Sequence, residues 1–319
     1  MNNISAVNGF PHTFRVLTVS GVYRRLAFAT LIPVGFGVAR GGVSALLTVV
    51  AAVLGTVLAD IVMTRGRSDS LHPGDGRALY IGLAMAGLLP AGISPVTVMI
   101  AGVLTLLVGV WLFGGPGKYR IHPALVGPAL LGIAFLGPTA VGEGAAFLSL
   151  TVPADVISLV ERTLFEPIGV RVSPEAWRLL LGGIGPEGGS LVLGLAGPVL
   201  VGSLIVFGED LLPAILPATF LAVYSLSTWT FGALPGDWFS GAPLDALLLT
   251  NAPFVIVFLT ADPSVRPATA TGMVLFGVLA GGLATVFRVS GTVVAPATIA
   301  VFIAGAFVPV LDGLTTRRL

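Results

Sequence analysis

The segment LFGGPGKYRIHPALVGPALL, residues 112–131, sets a lysine, an arginine and a histidine among glycines and prolines, between two long apolar runs. Whether those flanking runs cross a bilayer decides the fold. If they do, the segment is a kinked, cationic connection at one membrane face. Composition settles the choice: the chain is 55% hydrophobic and 10% charged, with mean hydropathy +1.01. A soluble domain carries about a quarter charged residues, so this chain lacks the polar surface to stay in water. It reads as an integral, all-α membrane protein.

Working outward from 112–131, a spanning helix needs about 20 mostly apolar residues, and shorter runs imply tilted or broken helices. Ten segments meet that description, near 25–39, 43–63, 77–92, 95–114, 122–138, 189–207, 211–231, 244–261, 271–287 and 293–311. The third and fifth are short and run into Pro90 and Pro138. Such breaks survive in lipid only where protein or water satisfies the freed backbone groups. The expected organisation is a cytoplasmic N-terminal arm at 1–24, a first five-helix half at 25–138, a long extracytoplasmic loop at 139–188 and a second five-helix half at 189–319. The arm lacks the apolar core and cleavage site of a signal peptide.

Ten spans place both termini on one side. With that side inside, the inner segments hold Arg15, Arg24, Arg25, Arg65, Arg67, Arg77, Lys118, Arg120, Arg266, Arg317 and Arg318. The outer segments hold Arg40, Arg162, Arg171, Arg178 and Arg288. Eleven cations against five agree with the positive-inside rule. An odd number of spans per half would make two repeats inverted relative to each other. One short echo points that way: Pro123-Ala124, Gly127, Leu130 and Gly132 against Pro267-Ala268, Gly272, Leu275 and Gly277, each after an arginine.

The absence of cysteine excludes thiolate chemistry, and three scattered histidines (His12, His72, His122) offer no metal site. A net charge of +1 gives no reason to expect nucleic acid. Ionisable and polar groups inside or at the ends of apolar segments are costly and stand as functional candidates. Asp60, Asp75 and Asn251 are candidates for an ion pathway. Arg120, His122, Glu187, Ser190, Asp262 and Thr269 are candidates for cofactor contacts, from three places: 112–131, GGIGPEGGS at 182–190, and TADPSVRPATATG at 260–272. Bland alternatives stand beside them, namely a positive inner loop for Lys118 and Arg120, and an N-cap for Thr269. From the residues alone, transport, channel and electron-transfer roles all remain open.

Taken together, FPHT (10–13), VYRRL (22–26), DGRALYIGLAMAGLLP (75–90), 112–131, GGIGPEGGS and TADPSVRPATATGMVLFGVLAG resemble one family across nearly the whole chain. It comprises the related membrane flavoproteins of the sodium-translocating NADH:quinone reductase and of the Rnf complex. The resemblance implies a urea-transporter-related fold and a membrane subunit of an electron-transfer complex, passing electrons via flavin, with coupled sodium or proton movement. It also implies other membrane subunits as partners, and quinone as a candidate redox partner. The family holds FMN on the threonine of a serine-glycine-alanine-threonine motif in the long loop. This chain has no such motif; Glu143-Gly144-Ala145-Ala146 stands nearest, while Thr139 and Thr151 lack the flanking residues. FMN or riboflavin is therefore expected as a non-covalent ligand. The alternatives are a small-solute channel or transporter and a cofactor-free structural subunit.

Overall fold

A computed structural model describes residues 18–65, 75–134, 162–163, 189–231, 239, 241, 243–248, 250–290 and 295–316. Most of the N-terminal arm, Glu187, Glu143–Ala146, Thr139 and Thr151 lie outside the described residues. Those described are helical; β pairing among them is confined to one isolated bridge, Pro90 with Ser190.

Helix α1 runs from Val19 to Thr64 and contains a single non-helical residue, Gly42 at φ 63°, ψ −147°. A straight helix would separate Tyr23 from Asp60 by about 55 Å. Yet the Tyr23 ring lies 6.1 Å from that of Tyr80, and Asp60 bonds Arg77, one turn before Tyr80. The chain therefore doubles back at Gly42, where a positive φ suits a residue without Cβ. The expected first and second spans are the two antiparallel legs of α1.

The third segment is α2 (Arg77–Leu88), buried at every position except Leu79. It is followed by α3 (Pro95–Leu106), extended by a π-helical turn over Leu107–Trp111, then by a 3-10 turn at Pro123–Leu125 and α4 (Val126–Ala134). The second half comprises α5 (Ala196–Gly208), α6 (Ile215–Phe231), α7 (Pro243–Leu248) and α8 (Ala252–Phe254), which runs on as a π-helical turn over Val255–Leu259. It closes with α9 (Ala270–Val289), α10 (Pro296–Ala306) and α11 (Val308–Thr315). Among the described residues, α1 and α9 are long and apolar enough to cross a membrane, and the pair α10–α11, bent by 53°, makes a third such unit. The remaining expected segments appear as shorter apolar helices or helix pairs. The eighth is interrupted between α7 and α8, and helix begins only at Ala196 in the sixth.

The breaks are satisfied from within. At the end of α2, the Leu89 carbonyl accepts from Leu191 N at 2.9 Å and that of Gly87 from Val192 N at 3.2 Å. The Arg40 guanidinium in turn donates to the carbonyls of Leu193 and Leu191 at 2.8 and 3.0 Å. A buried, broken helix end is thus closed by a polar strap from the other half of the chain.

Small residues set the helix crossings. A Cβ on Gly102 in α3 would sit 2.9 Å from the Ala52 carbonyl and 3.2 Å from the Gly55 Cα, both in α1. In the second half, a Cβ on Gly281 in α9 would sit 2.9 Å from the Phe220 carbonyl in α6. Outward faces carry Phe28, Leu46, Leu58, Ile100, Leu204 and Leu226, as lipid contact requires. Gly102→Val should overpack the α1–α3 crossing and cost about 1–3 kcal/mol. In detergent its unfolding temperature should fall clearly, while Gly35→Val, whose Cβ meets nothing within 4 Å, should stay near the parent.

Candidate functional site

One end of the bundle gathers polar groups from five separate stretches of chain. Thr18 caps α1 by accepting from Gly21 N at 3.2 Å, and Tyr23 follows on the helix's buried face. Within 112–131, Gly114, Gly115 and Gly117 all take positive φ. That fold of the backbone buries Tyr119 completely between exposed Lys118 and Arg120. Asp262, which follows the π-helical turn of α8, is fully buried as well.

These three groups meet. Tyr119 Oη donates to Asp262 Oδ2 at 2.7 Å, Tyr23 Oη lies 3.3 and 3.4 Å from the two carboxylate oxygens, and the two hydroxyls are 3.2 Å apart. Ser264 N donates to Asp262 Oδ1 at 2.9 Å. The hydrogen-bond partners of this carboxylate among the described residues are therefore hydroxyls and one amide, not a cation. Arg266, four residues on, gives its NH1 to the Leu211 carbonyl at 2.7 Å. Burial pulls the Arg266 pKa down, and the charge of Asp262 opposes that. For Tyr119, burial and then the Asp262 charge both push the phenol well above its ordinary value, so it remains a donor at neutral pH.

Tyr80 and His122 line the same end. Tyr80 donates its hydroxyl to the Phe258 carbonyl, within the π-helical turn. Such turns displace carbonyls from the regular ladder and recur at functional sites. The His122 ring stands edge-on to Tyr80 with centroids 5.4 Å apart. Its Nδ1 accepts from Ala124 N at 3.2 Å, capping the 3-10 turn. A neutral imidazole then carries its proton on Nε2, and that buried atom has no hydrogen-bond partner.

A second cluster lies one turn from Tyr80. Arg77 NH2 contacts Asp60 Oδ1 at 2.8 Å, and NH1 lies 3.5 Å from Asp75 Oδ2. Asp75 Oδ1 also accepts from Arg77 N at 2.9 Å, fixing the first turn of α2.

Of the cofactor candidates, His122 and Asp262 come together around Tyr80. Arg120 is exposed. Thr269 caps α9, accepting from Gly272 N at 3.0 Å, and bonds Thr315 at 2.6 Å, so its hydroxyl is spent on structure. Ser190 sits beside Pro90, near the opposite end of α2, with Oγ buried and unpartnered. Ten residues of helical rise from Tyr80 to Pro90 amount to about 15 Å, too far for one small ring to touch both Ser190 and His122. Of the ion-pathway candidates, Asp60 and Asp75 meet through Arg77. Asn251 lies apart, donating to Thr298 Oγ1 at 3.0 Å with its own Oδ1 buried and unpartnered. Sequence reasoning missed the tyrosines. The available signal was their rarity: four in 319 residues, of which three stand at this one end.

The model of the NQR2, RnfD, RnfE family matches residues 6–319. The chain belongs to that family. Among similar members, a subunit of the proton-translocating ferredoxin:NAD(+) oxidoreductase complex of Clostridium ljungdahlii is 22% identical over 98% of this chain and 95% of its own length. A subunit of the ion-translocating oxidoreductase complex of Halorhodospira halophila is 26% identical over 95% and 91%. The protein of the same name from Methanosarcina acetivorans is 25% identical over 85% and 81%. In this NQR2/RnfD/RnfE member the match runs through every stretch that builds the tyrosine–aspartate cluster. Tyr119→Phe should leave Asp262 short of its best donor and destabilise the fold by about 1.5–3 kcal/mol, the range for a hydrogen bond to a charged group. Asp262→Asn in the same background should recover part of that loss; thermal unfolding of the single and double variants measures both.

Proposed function

We propose that this protein is the integral membrane subunit of an Rnf-like electron-transfer complex that translocates an ion. The observation that carries the proposal is the family match over residues 6–319, joined by relatives named as subunits of ion-translocating oxidoreductase complexes. The geometry supports it at one point. Asp262 is a fully buried carboxylate surrounded by tyrosine hydroxyls instead of a cation, an arrangement suited to holding a proton or a small cation. Ionisable groups buried within or at the ends of membrane helices are retained for such work.

The finer parts are proposals of the same kind. Ten spans in two inverted five-span halves, related to urea transporters, would pair α1–α3 with α6–α9, each pair crossing at glycine; that register sets the fifth segment against the tenth, so the Pro123/Pro267 echo does not support it. They would also pair α2 with α7–α8, the broken elements that pack together through Tyr80 on Phe258 and Gly87 against Phe254. A prokaryotic cytoplasmic membrane is the setting proposed from the organisms of the relatives, and the eleven-to-five cation bias supports both termini inside. Tyr23, Asp60, Arg77, Tyr119 and Asp262 share one end, which agrees with placing their segments on one side.

The residues present treat flavin in two ways. Covalent attachment through the family's loop threonine has no residue to use, since the motif is absent. A dissociable FMN or riboflavin would find unspent buried atoms at Ser190 Oγ or at His122 Nε2, either of which could hydrogen-bond a ring. When bound, the flavin would supply the one- and two-electron chemistry, and the protein its position and surrounding charge. Partners would be the other membrane subunits, with quinone as a candidate acceptor. The missing motif also favours a second reading, a cofactor-free subunit kept for assembly. Purified complex should show flavin absorbance that is released by denaturation and leaves no fluorescent band in a denaturing gel. Stable complex without extractable flavin would decide for the cofactor-free reading, and failure to co-purify with other membrane subunits would sink both.

A further inference from the structure

Asp60 and Asp75 look from the sequence like stations on an ion path, but the cluster that holds them already contains a cation. The Asp60, Asp75 and Arg77 side chains are 4%, 13% and 2% exposed. One guanidinium faces both carboxylates, NH2 on Asp60 at 2.8 Å and NH1 on Asp75 at 3.5 Å. Two carboxylates converging on one buried point are the donor set that a hard cation takes. Here that point is filled by a charge covalently part of α2. Arginine does not deprotonate in proteins, so it cannot leave the site by becoming neutral.

We propose that Arg77 is a tethered counter-cation, which closes the Asp60–Asp75 pair to exchangeable ions and converts it into a clamp between α1 and α2. The clamp joins the end of the second leg of α1 to the first turn of α2, where Asp75 also accepts from the Arg77 backbone N–H. Asp60 and Arg77 match each other in number and depth. Asp75 is the most exposed of the three and lies at the water edge, with Arg24 packed against the neighbouring Gly76. Ion specificity at this end then falls to other groups, and position 77 decides whether the pair is a site or a strut. The inference rests on the membrane reading and is independent of whether flavin binds.

Thermal unfolding of the full chain in detergent, in sodium chloride against choline chloride at equal ionic strength, tests it. Parent and Asp60→Asn should respond to sodium identically, because the parent's Asp60 binds none. Arg77→Ser should gain a sodium-dependent rise of about 2 °C or more, and Asp60→Asn/Arg77→Ser should lose that gain. Arg77→Lys, which keeps a tethered charge, should behave as the parent. A sodium response in the parent that Asp60→Asn removes would overturn the proposal, as would a folded Arg77→Ser indifferent to sodium. If Arg77→Ser does not accumulate, the comparison of parent, Asp60→Asn and Arg77→Lys still decides. Equal sodium responses in all three support the tether, and a response specific to Asp60 refutes it.

Discussion

No water reaches the hydrocarbon core of a bilayer, so every helix break and every ionised side chain in this bundle must find its partner inside the protein. That constraint explains features that would be incidental in a soluble fold. The carbonyls freed at the end of α2 accept from Leu191 and Val192, and the carbonyls of that segment in turn take the Arg40 guanidinium. The Asp60 charge is matched by Arg77, and Asp262 is solvated by Tyr23, Tyr119 and the Ser264 amide. The end of α2 and Asp262 are paired with groups far away in sequence, whereas Asp60 meets Arg77 only 17 residues on. The Leu191–Leu193 segment and Asp262 thereby join the two halves of the chain through polar contacts.

The same constraint separates the two kinds of buried carboxylate. Asp60 has a full countercharge at 2.8 Å, and a buried pair of this sort is costly to disrupt once one partner is removed. Asp262 has only neutral donors within hydrogen-bond reach among the described residues. Neutral donors lower the cost of a buried charge without cancelling it, and Arg266 acts on Asp262 only through its charge at longer range. That difference in partners is the ground for proposing Asp262, and not Asp60, as the ion-holding group.

Several features were legible before any coordinates. Low charge and high hydropathy define the membrane character of the bundle. Pro90 marks a break that the structure contains, Pro138 lies outside the described residues, and the interruption of the eighth segment was not expected from the sequence. The site was legible only in part. His122 and Asp262 stand out as polar residues at segment ends, and they do come together. Thr269 stands out equally and proves to be a cap, because a hydroxyl before a helix serves that purpose wherever it occurs. The tyrosines escaped notice because an aromatic ring in an apolar chain reads as packing, and its hydroxyl matters only once a carboxylate is placed beside it.

By itself, the sequence determined that this chain is an apolar membrane protein, roughly where its hydrophobic segments lie, and which family it joins. Those properties depend on composition, spacing and motif order, all of which are local or additive along the chain. Only the tertiary structure decided that the reversal between the first two segments falls on one residue, Gly42, that Asp60 and Asp75 share one arginine, and that Tyr23, Tyr119 and Asp262 form one cluster. Tyr23 and Asp262 are 239 residues apart, and no local pattern encodes their meeting. What brings them together is the need of a buried charge for hydrogen-bond donors where there is no water to supply them.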